Sequence, residues 1–208
     1  QNKIARIAKE TGIRIVGPNT FGVGNGFINL STAFAFLKPE KVPVAAIGQT
    51  GLVFALTTQF PFMGKVVDLG NACDVGFSDA LEYFKEDPQV RIIVLYIEGL
   101  REDGKRFLEI ARETAKKKPI IALRGGKTEE GAKTVKSHTG SLAGKSEVWK
   151  AAFKRNGIIE VEDMDEVEDI AKAFLHLPLP KGRKLGIMTY PMSCGIMATD
   201  ACQKYGLE

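Results

Sequence analysis

The chain has 208 residues, of which 44% are apolar, and carries 29 Lys and Arg against 25 Asp and Glu. This is the composition of an ordinary globular protein, and it excludes a collagen, a disordered tail and a disulfide-rich secreted module. A net charge of +4 is too small and too dispersed to indicate nucleic-acid binding. Because the 3 cysteines include no CxxC pair and no apolar run reaches membrane-span length, we expect a cytoplasmic protein without a membrane span.

Both ends of the sequence have the pattern of incomplete α/β units. Residues 3–10 have helical periodicity, and the segment over 13–16 predicts a strand after them. Near the other end, a strand is predicted over 185–188 and a helix over 195–204. Residues 19–42 show no clear period and are predicted to be a connection. We therefore expect a central domain with partial α/β stubs at each end.

Between these ends, short apolar segments alternate with amphipathic ones. Strands are predicted over 44–47, 66–69, 92–97, 120–123 and 158–161, and helices over 49–60, 78–85, 104–117, 146–155 and 163–175. Wholly apolar strands that alternate with helices indicate an α/β fold, with a parallel sheet covered on both faces.

Small and polar residues follow several of the predicted strands. They are Gln49, Thr50 and Gly51 after the first strand, Gly70 and Asn71 after the second, Glu98 after the third, and a long loop ending in residues 137–141 after the fourth. Open α/β sheets bind ligands at the carboxyl ends of their strands. The sequence therefore predicts that these residues meet at one edge of the sheet.

His138 is the strongest candidate for a reactive side chain. The only other histidine in the sequence, His176, lies in a predicted linker. His138 stands among Ser, Thr and Gly, where an imidazole could be a nucleophile or a base, or could simply be solvated. No second His and no Cys lies at ligand spacing, which disfavours a metal site. Glu98 could orient an imidazole or reach water. Thr50 could cap a helix whose N-terminus also holds a phosphate.

Four segments resemble one known family. They are GPN at 17–19, VDLGNACDV at 67–75, LYIEGLREDGKRF at 95–107 and KSHTGSLAG at 136–144. Together they are similar to the NDP-forming acyl-CoA synthetases, which include the ADP-forming acetyl-CoA synthetases and are relatives of the succinyl-CoA synthetase α subunit. The block at 136–144 is highly specific to these enzymes.

The resemblance implies an acid–thiol ligase that interconverts acyl-CoA, ADP and phosphate with the free acid, CoA and ATP. The reaction would pass through an acyl phosphate and a phosphohistidine on a mobile loop. His138 would be that phosphohistidine, and Glu98 would orient it. The resemblance places phosphate at Gln49, Thr50, Gly51, Gly140 and Ser141, and CoA or substrate at Gly70, Asn71 and Asn19.

The resemblance also implies a domain order. Residues 1–18 would end a CoA-binding Rossmann-like domain and 19–42 would be a connection. Residues 43–178 would form a flavodoxin-like ligase domain carrying the phosphohistidine loop, and 179–208 a linker and the start of a second flavodoxin-like domain. ADP or ATP and Mg²⁺ would bind an ATP-grasp domain or β subunit outside this chain, within an oligomer. The chain alone is therefore expected to be inactive.

The sequence departs from the family pattern at three places. Gly48 and Thr50 stand where the family has serines, and Thr20 follows GPN in place of Cys. Residues 190–195, YPMSCG, replace the usual glycine-rich stretch. A non-catalytic acyl-CoA-sensing domain of the same fold is therefore an alternative, and a plain nucleotide or flavin binder is a third. The presence of His138 and Glu98 favours the enzyme.

Overall fold

The computed structural model describes residues 2–33, 40–50, 63–139, 144–178 and 181–208, with only the backbone at residues 2 and 136–139. The chain divides into two compact units, Gln1–Leu175 and His176–Glu208. The elements, in chain order, are α1 (Asn2–Thr11), β1 (Val23–Asn25), β2 (Leu30–Ser31), β3 (Val44–Gly48), β4 (Lys65–Asp68), α2 (Phe77–Glu86), β5 (Ile92–Ile97), α3 (Gly104–Ala115), β6 (Ile120–Arg124), α4 (Glu129–Thr139), α5 (Ser146–Arg155), β7 (Ile158–Val161), α6 (Met164–His176) and α7 (Met192–Tyr205). None of the helices in these ranges is long and apolar enough to cross a membrane.

The described strands form one sheet in the order β2-β1-β4-β3-β5-β6-β7. Strands β4, β3, β5, β6 and β7 run parallel, and β1 and β2 extend the β4 edge in antiparallel pairing. Counted along the chain, the parallel strands have the order 2-1-3-4-5, which is the flavodoxin-like order. The predicted α/β fold with a parallel sheet is confirmed.

Two apolar layers cover the two faces of the sheet. Because successive strand residues point to opposite faces, Ile47 and Leu95 pack on one side with helices α2, α3 and α5. The rings of Phe77 and Phe107 meet edge to face there, with centroids 6.2 Å apart. On the other side, Val94 packs in the cluster that includes Val167 and Ala171 of α6. Burial on both faces explains why the central strands β3 and β5 contain no charged residue.

The strands predicted at the two ends of the chain do not form. A strand is stable only when its backbone pairs with a neighbour, and neither segment finds a neighbouring strand among the described residues. Ile15 instead bonds to the loop after β4: its N–H donates to Asp74 Oδ2 at 2.7 Å, and its carbonyl accepts from Val75 at 3.1 Å. The N–H of Leu185 donates to the Glu208 carbonyl at 2.8 Å.

Two irregular segments contain elements that the sequence did not suggest. The predicted connection over 19–42 contributes the short strands β1 and β2 to the sheet. The predicted loop before residue 141 is wrong in part, because α4 occupies Glu129–Thr139. The Thr128 hydroxyl accepts from the N–H of Gly131 at 3.1 Å at the start of this helix, and Val135 is buried. Of the helix predicted over 49–60, the part from residue 51 onward lies outside the described residues.

Candidate functional site

The sheet reverses its strand order between β3 and β5. The chain passes from β3 to β4 on one side, and later strands are added on the other side, beginning with β5. In open α/β sheets, a ligand cleft lies at this switch point, beyond the carboxyl ends of the strands. Gln49 directly follows β3 and Glu98 directly follows β5. Their contact is direct, since Gln49 Oε1 accepts from the N–H groups of Glu98 at 2.8 Å and Gly99 at 3.1 Å.

Glu98 is a buried carboxylate, with 6% of its surface exposed. The hydroxyl of Tyr96 donates to Glu98 Oε1 at 3.4 Å. Burial, together with the charge of Glu98, raises the pKa of Tyr96 to about 12, so the hydroxyl keeps its proton at neutral pH. Gly125, just after β6, leaves room for the pair, since a Cβ there would lie 2.9 Å from Tyr96 Oη and 3.3 Å from Glu98 Cγ.

Asp68 is a second buried carboxyl group at this edge, and the sequence analysis did not select it. It ends β4, and its oxygens accept from the N–H groups of Phe21 at 2.7 Å and Gly70 at 3.1 Å. Burial raises the pKa of Asp68 and the charge of Glu98 adds to the rise, although the two backbone hydrogen bonds act in the opposite direction. The sequence contained a signal for Asp68, because a carboxyl group at the end of a strand also pointed to Glu98.

The residues predicted to bind CoA or substrate are brought together. The N–H of Asn71 donates to the Pro18 carbonyl at 2.8 Å. Gly70 has φ +51°, and a Cβ on it would overlap the carbonyl oxygens of Asn19 and Pro18. Only glycine therefore permits this close approach of the two turns. The buried side-chain oxygen of Asn71 has no hydrogen-bond partner among the described residues.

The remaining predicted site residues are only partly described. Thr50 follows Gln49 and is half-buried. The backbone of His138 lies in the last turn of α4, which follows β6, the strand next to β5. The side chain of His138 lies outside the described part of the chain, and so do Gly51, Gly140 and Ser141 in full.

Arg124 is a further residue at this edge that the sequence analysis did not identify. It ends β6 with its side chain buried, pairs with Glu160 at 3.3 Å and donates to Ser146 Oγ at 2.9 Å. Its guanidinium also lies 5.3 Å from the centre of the Trp149 ring. These contacts tie the beginning of α5 to the sheet and so fix the chain just after the 136–144 block.

Within the described ranges, no cluster of three or more His, Cys, Asp and Glu could hold a metal ion.

The chain is similar to a known family and to known proteins. The family described as succinyl-CoA ligase-like flavodoxin domain matches residues 41–174. The chain is 45% identical to the ADP-forming acetate–CoA ligase of Methanocaldococcus jannaschii, over all of this chain and 30% of that protein. It is 40% identical to the α subunit of ADP-forming acetate–CoA ligase I of Pyrococcus furiosus, over all of this chain and 46% of that subunit.

A solved structure is also similar over almost the whole chain. It is acetyl-coenzyme A synthetase 1 of Ca. Korarchaeum cryptofilum in complex with phosphate and ADP, with a TM-score of 0.89 and 31% identity. The match covers 99% of this chain and 46% of that one. The chain thus spans between 30% and 46% of the length of these relatives.

Proposed function

Because the chain belongs to the ADP-forming acetyl-CoA synthetase family, through its succinyl-CoA ligase-like flavodoxin domain, we propose that it is the phosphoryl-carrying portion of an acyl-CoA synthetase. The complete enzyme then needs a further portion that binds ADP or ATP with Mg²⁺, either an ATP-grasp domain or a separate β subunit. A second portion is consistent with the chain spanning only 30% and 46% of the length of two of its relatives.

The proposed reaction has three transfers. Phosphate attacks the thioester of acyl-CoA, so that a C–O bond forms, the C–S bond breaks and CoA leaves. A ring nitrogen of His138 attacks the phosphorus of the acyl phosphate, and the P–O bond breaks to release the carboxylic acid. An oxygen of ADP then attacks the phosphohistidine, and the N–P bond breaks as ATP forms. Each transfer is reversible, and the three reverse transfers together synthesise acyl-CoA.

The observation that carries this proposal is the buried carboxylate of Glu98 at the switch point of the sheet. A carboxylate that accepts the N–H of one ring nitrogen holds an imidazole in the tautomer whose other nitrogen has a free lone pair. It also stabilises the positive charge that the ring gains when the N–P bond forms. In the proposal, Glu98 performs both tasks for His138.

The remaining roles follow the chemistry of each group. The Thr50 hydroxyl and the backbone N–H groups of Gly51, Gly140 and Ser141 are donors, which suits phosphate oxygens. The side-chain oxygen of Asn71, which has no partner among the residues that the structure describes, is an acceptor, which suits an amide N–H of the pantetheine arm of CoA. Gly70 and Asn19 would shape the turn that receives this arm.

The experiment is a product analysis of the complete enzyme supplied with CoA, Mg-ATP and acetate, followed by longer and aromatic acids. We expect acyl-CoA, ADP and phosphate in equal amounts, because the phosphoryl group alone leaves ATP. Formation of AMP and pyrophosphate would contradict the phosphohistidine route. Binding of acyl-CoA with no turnover of any acid would favour the non-catalytic sensing domain, in which the same fold is retained without transfer.

A further inference from the structure

The side-chain oxygen of Gln49 has a structural task in addition to the phosphate binding that its motif implies. Its Oε1 accepts from the backbone N–H groups of Glu98 and Gly99, and the residue is 2% exposed. A phosphate oxygen is also an acceptor, so this carbonyl oxygen does not bind one, and only the N–H groups of Gln49 are donors suited to phosphate. The geometry points to Gln49 as a positioning residue that fixes the turn carrying Glu98. This inference rests on the proposed pairing of Glu98 with His138.

The position of Gln49 in the sheet explains why the turn needs it. The pairing of β3 with β5 ends where Gly48 lies opposite Tyr96. Beyond that point β5 continues, and the chain enters a turn in which Glu98 and Gly99 are both buried. Buried N–H groups must find an acceptor, and Gln49 supplies one from its side chain. A single carbonyl oxygen with two lone pairs can satisfy both groups.

Loss of this oxygen would move Glu98. Two buried donors would lack an acceptor, and the turn would have to shift to reach another. The carboxylate is further held by Tyr96 and by its close packing on Gly125, so a shifted backbone pulls it away from both contacts. A displacement of about 1 Å in a catalytic group can cost about 10²-fold in rate.

The kinetic test is Gln49→Met in the complete enzyme, because Met has a similar length and no strong acceptor. The assay runs in the ATP-forming direction, in which phosphate is a substrate. We expect kcat to fall by about 10- to 100-fold, with the KM for phosphate unchanged within about twofold. A direct phosphate ligand would instead raise the KM for phosphate at an unchanged kcat, and that result would overturn the inference. Gln89→Met is the matched control, because Gln89 is exposed, and it should leave both constants unchanged.

The structural test is hydrogen exchange at the amides of Glu98 and Gly99. Exchange at these two positions should be faster in Gln49→Met, while the amides inside β5 keep their protection. Gln49→Glu retains an acceptor oxygen at the same place, so it should retain protection at both amides. Unchanged exchange at both amides in Gln49→Met would overturn the positioning role whatever the kinetics.

A double-mutant cycle separates this inference from the proposed function. If Gln49 acts through Glu98, adding Gln49→Met to a Glu98→Gln enzyme should cost less than about threefold in kcat. Fully additive losses would show that Gln49 acts independently and would overturn the inference. An unchanged kcat in Glu98→Gln alone would instead overturn the pairing with His138, and the amide exchange would still decide whether Gln49 holds the turn.

Discussion

The Glu98→Gln variant of the complete enzyme is expected to lose about 10²- to 10⁴-fold in kcat for acyl-CoA synthesis. Gln has the same shape and can still accept the hydrogen bond that Tyr96 donates to Glu98 Oε1, so the substitution removes the negative charge and little else. Without that charge, the positive imidazolium that forms with the N–P bond loses its partner inside a buried site. Steady-state kinetics with saturating CoA and ATP measures the loss.

The KM values for ATP and CoA should change little, because neither substrate contacts Glu98 in the proposed mechanism. Glu113→Gln is the control, since Glu113 is an exposed glutamate paired with Lys116 on the surface, and its kcat should equal that of the unmodified enzyme. If Glu98→Gln keeps kcat within about threefold, Glu98 does not assist the histidine and the proposed site is wrong.

The Lys65→Met substitution is expected to lower the free energy of unfolding by about 3–5 kcal/mol. Lys65 Nζ lies 2.5 Å from Asp87 Oδ2, and each side chain is 7% exposed. Removing the ammonium group would leave a buried carboxylate without its counter-charge, and this costs more than the pair contributes when intact. Chemical denaturation followed by circular dichroism measures the change.

The pH dependence of this effect has a definite sign. Burial acts to raise the pKa of Asp87, but hydrogen bonds from Lys65 and the Gln89 N–H, with the charges of Lys65 and Lys118, bring it below its usual value. Stabilisation by an acid with a lowered pKa is present above the unfolded pKa of about 4 and is lost as the pH falls through the folded value. The difference between Lys65→Met and the unmodified chain should therefore shrink below about pH 4.

Lys116→Met provides the comparison for this prediction. Its pair with Glu113 is 3.0 Å long, but the two side chains are 65% and 54% exposed, so its loss should cost less than about 1 kcal/mol. Equal effects of Lys65→Met and Lys116→Met would show that burial of the Lys65 pair has no energetic consequence.

The parts of the fold that follow from local pattern could be predicted from the sequence. The apolar run of β5 and the apolar stripe that places Phe107 in the core are properties of one segment each. The short strands β1 and β2 exist only through pairing, β1 with β4 and β2 with β1, so no local signal reveals them. The segment over 13–16 has a strand pattern but pairs with no strand among the described residues.

The candidate site also contains residues that the sequence could predict and residues that it could not. Glu98 was predictable, because a carboxylate that ends an apolar strand is unusual and the parallel topology places it at the ligand edge. Asp68 has the same signature, but it lay within a predicted strand rather than after one. The role of Gln49 depends on the register that sets Gly48 opposite Tyr96, and register is a property of two segments that are distant in sequence.

The central claim is that His138 carries the phosphoryl group, and the most direct measurement is a phosphorylation map of the complete enzyme after incubation with Mg-ATP. Mass spectrometry under alkaline conditions preserves a phosphohistidine, and a short acid treatment removes it. We predict one acid-labile, alkali-stable phosphate on His138, absent from His138→Ala and retained in His176→Ala, which alters an exposed histidine at the end of α6. A folded complex that binds CoA but shows no phosphate on His138 would contradict the account.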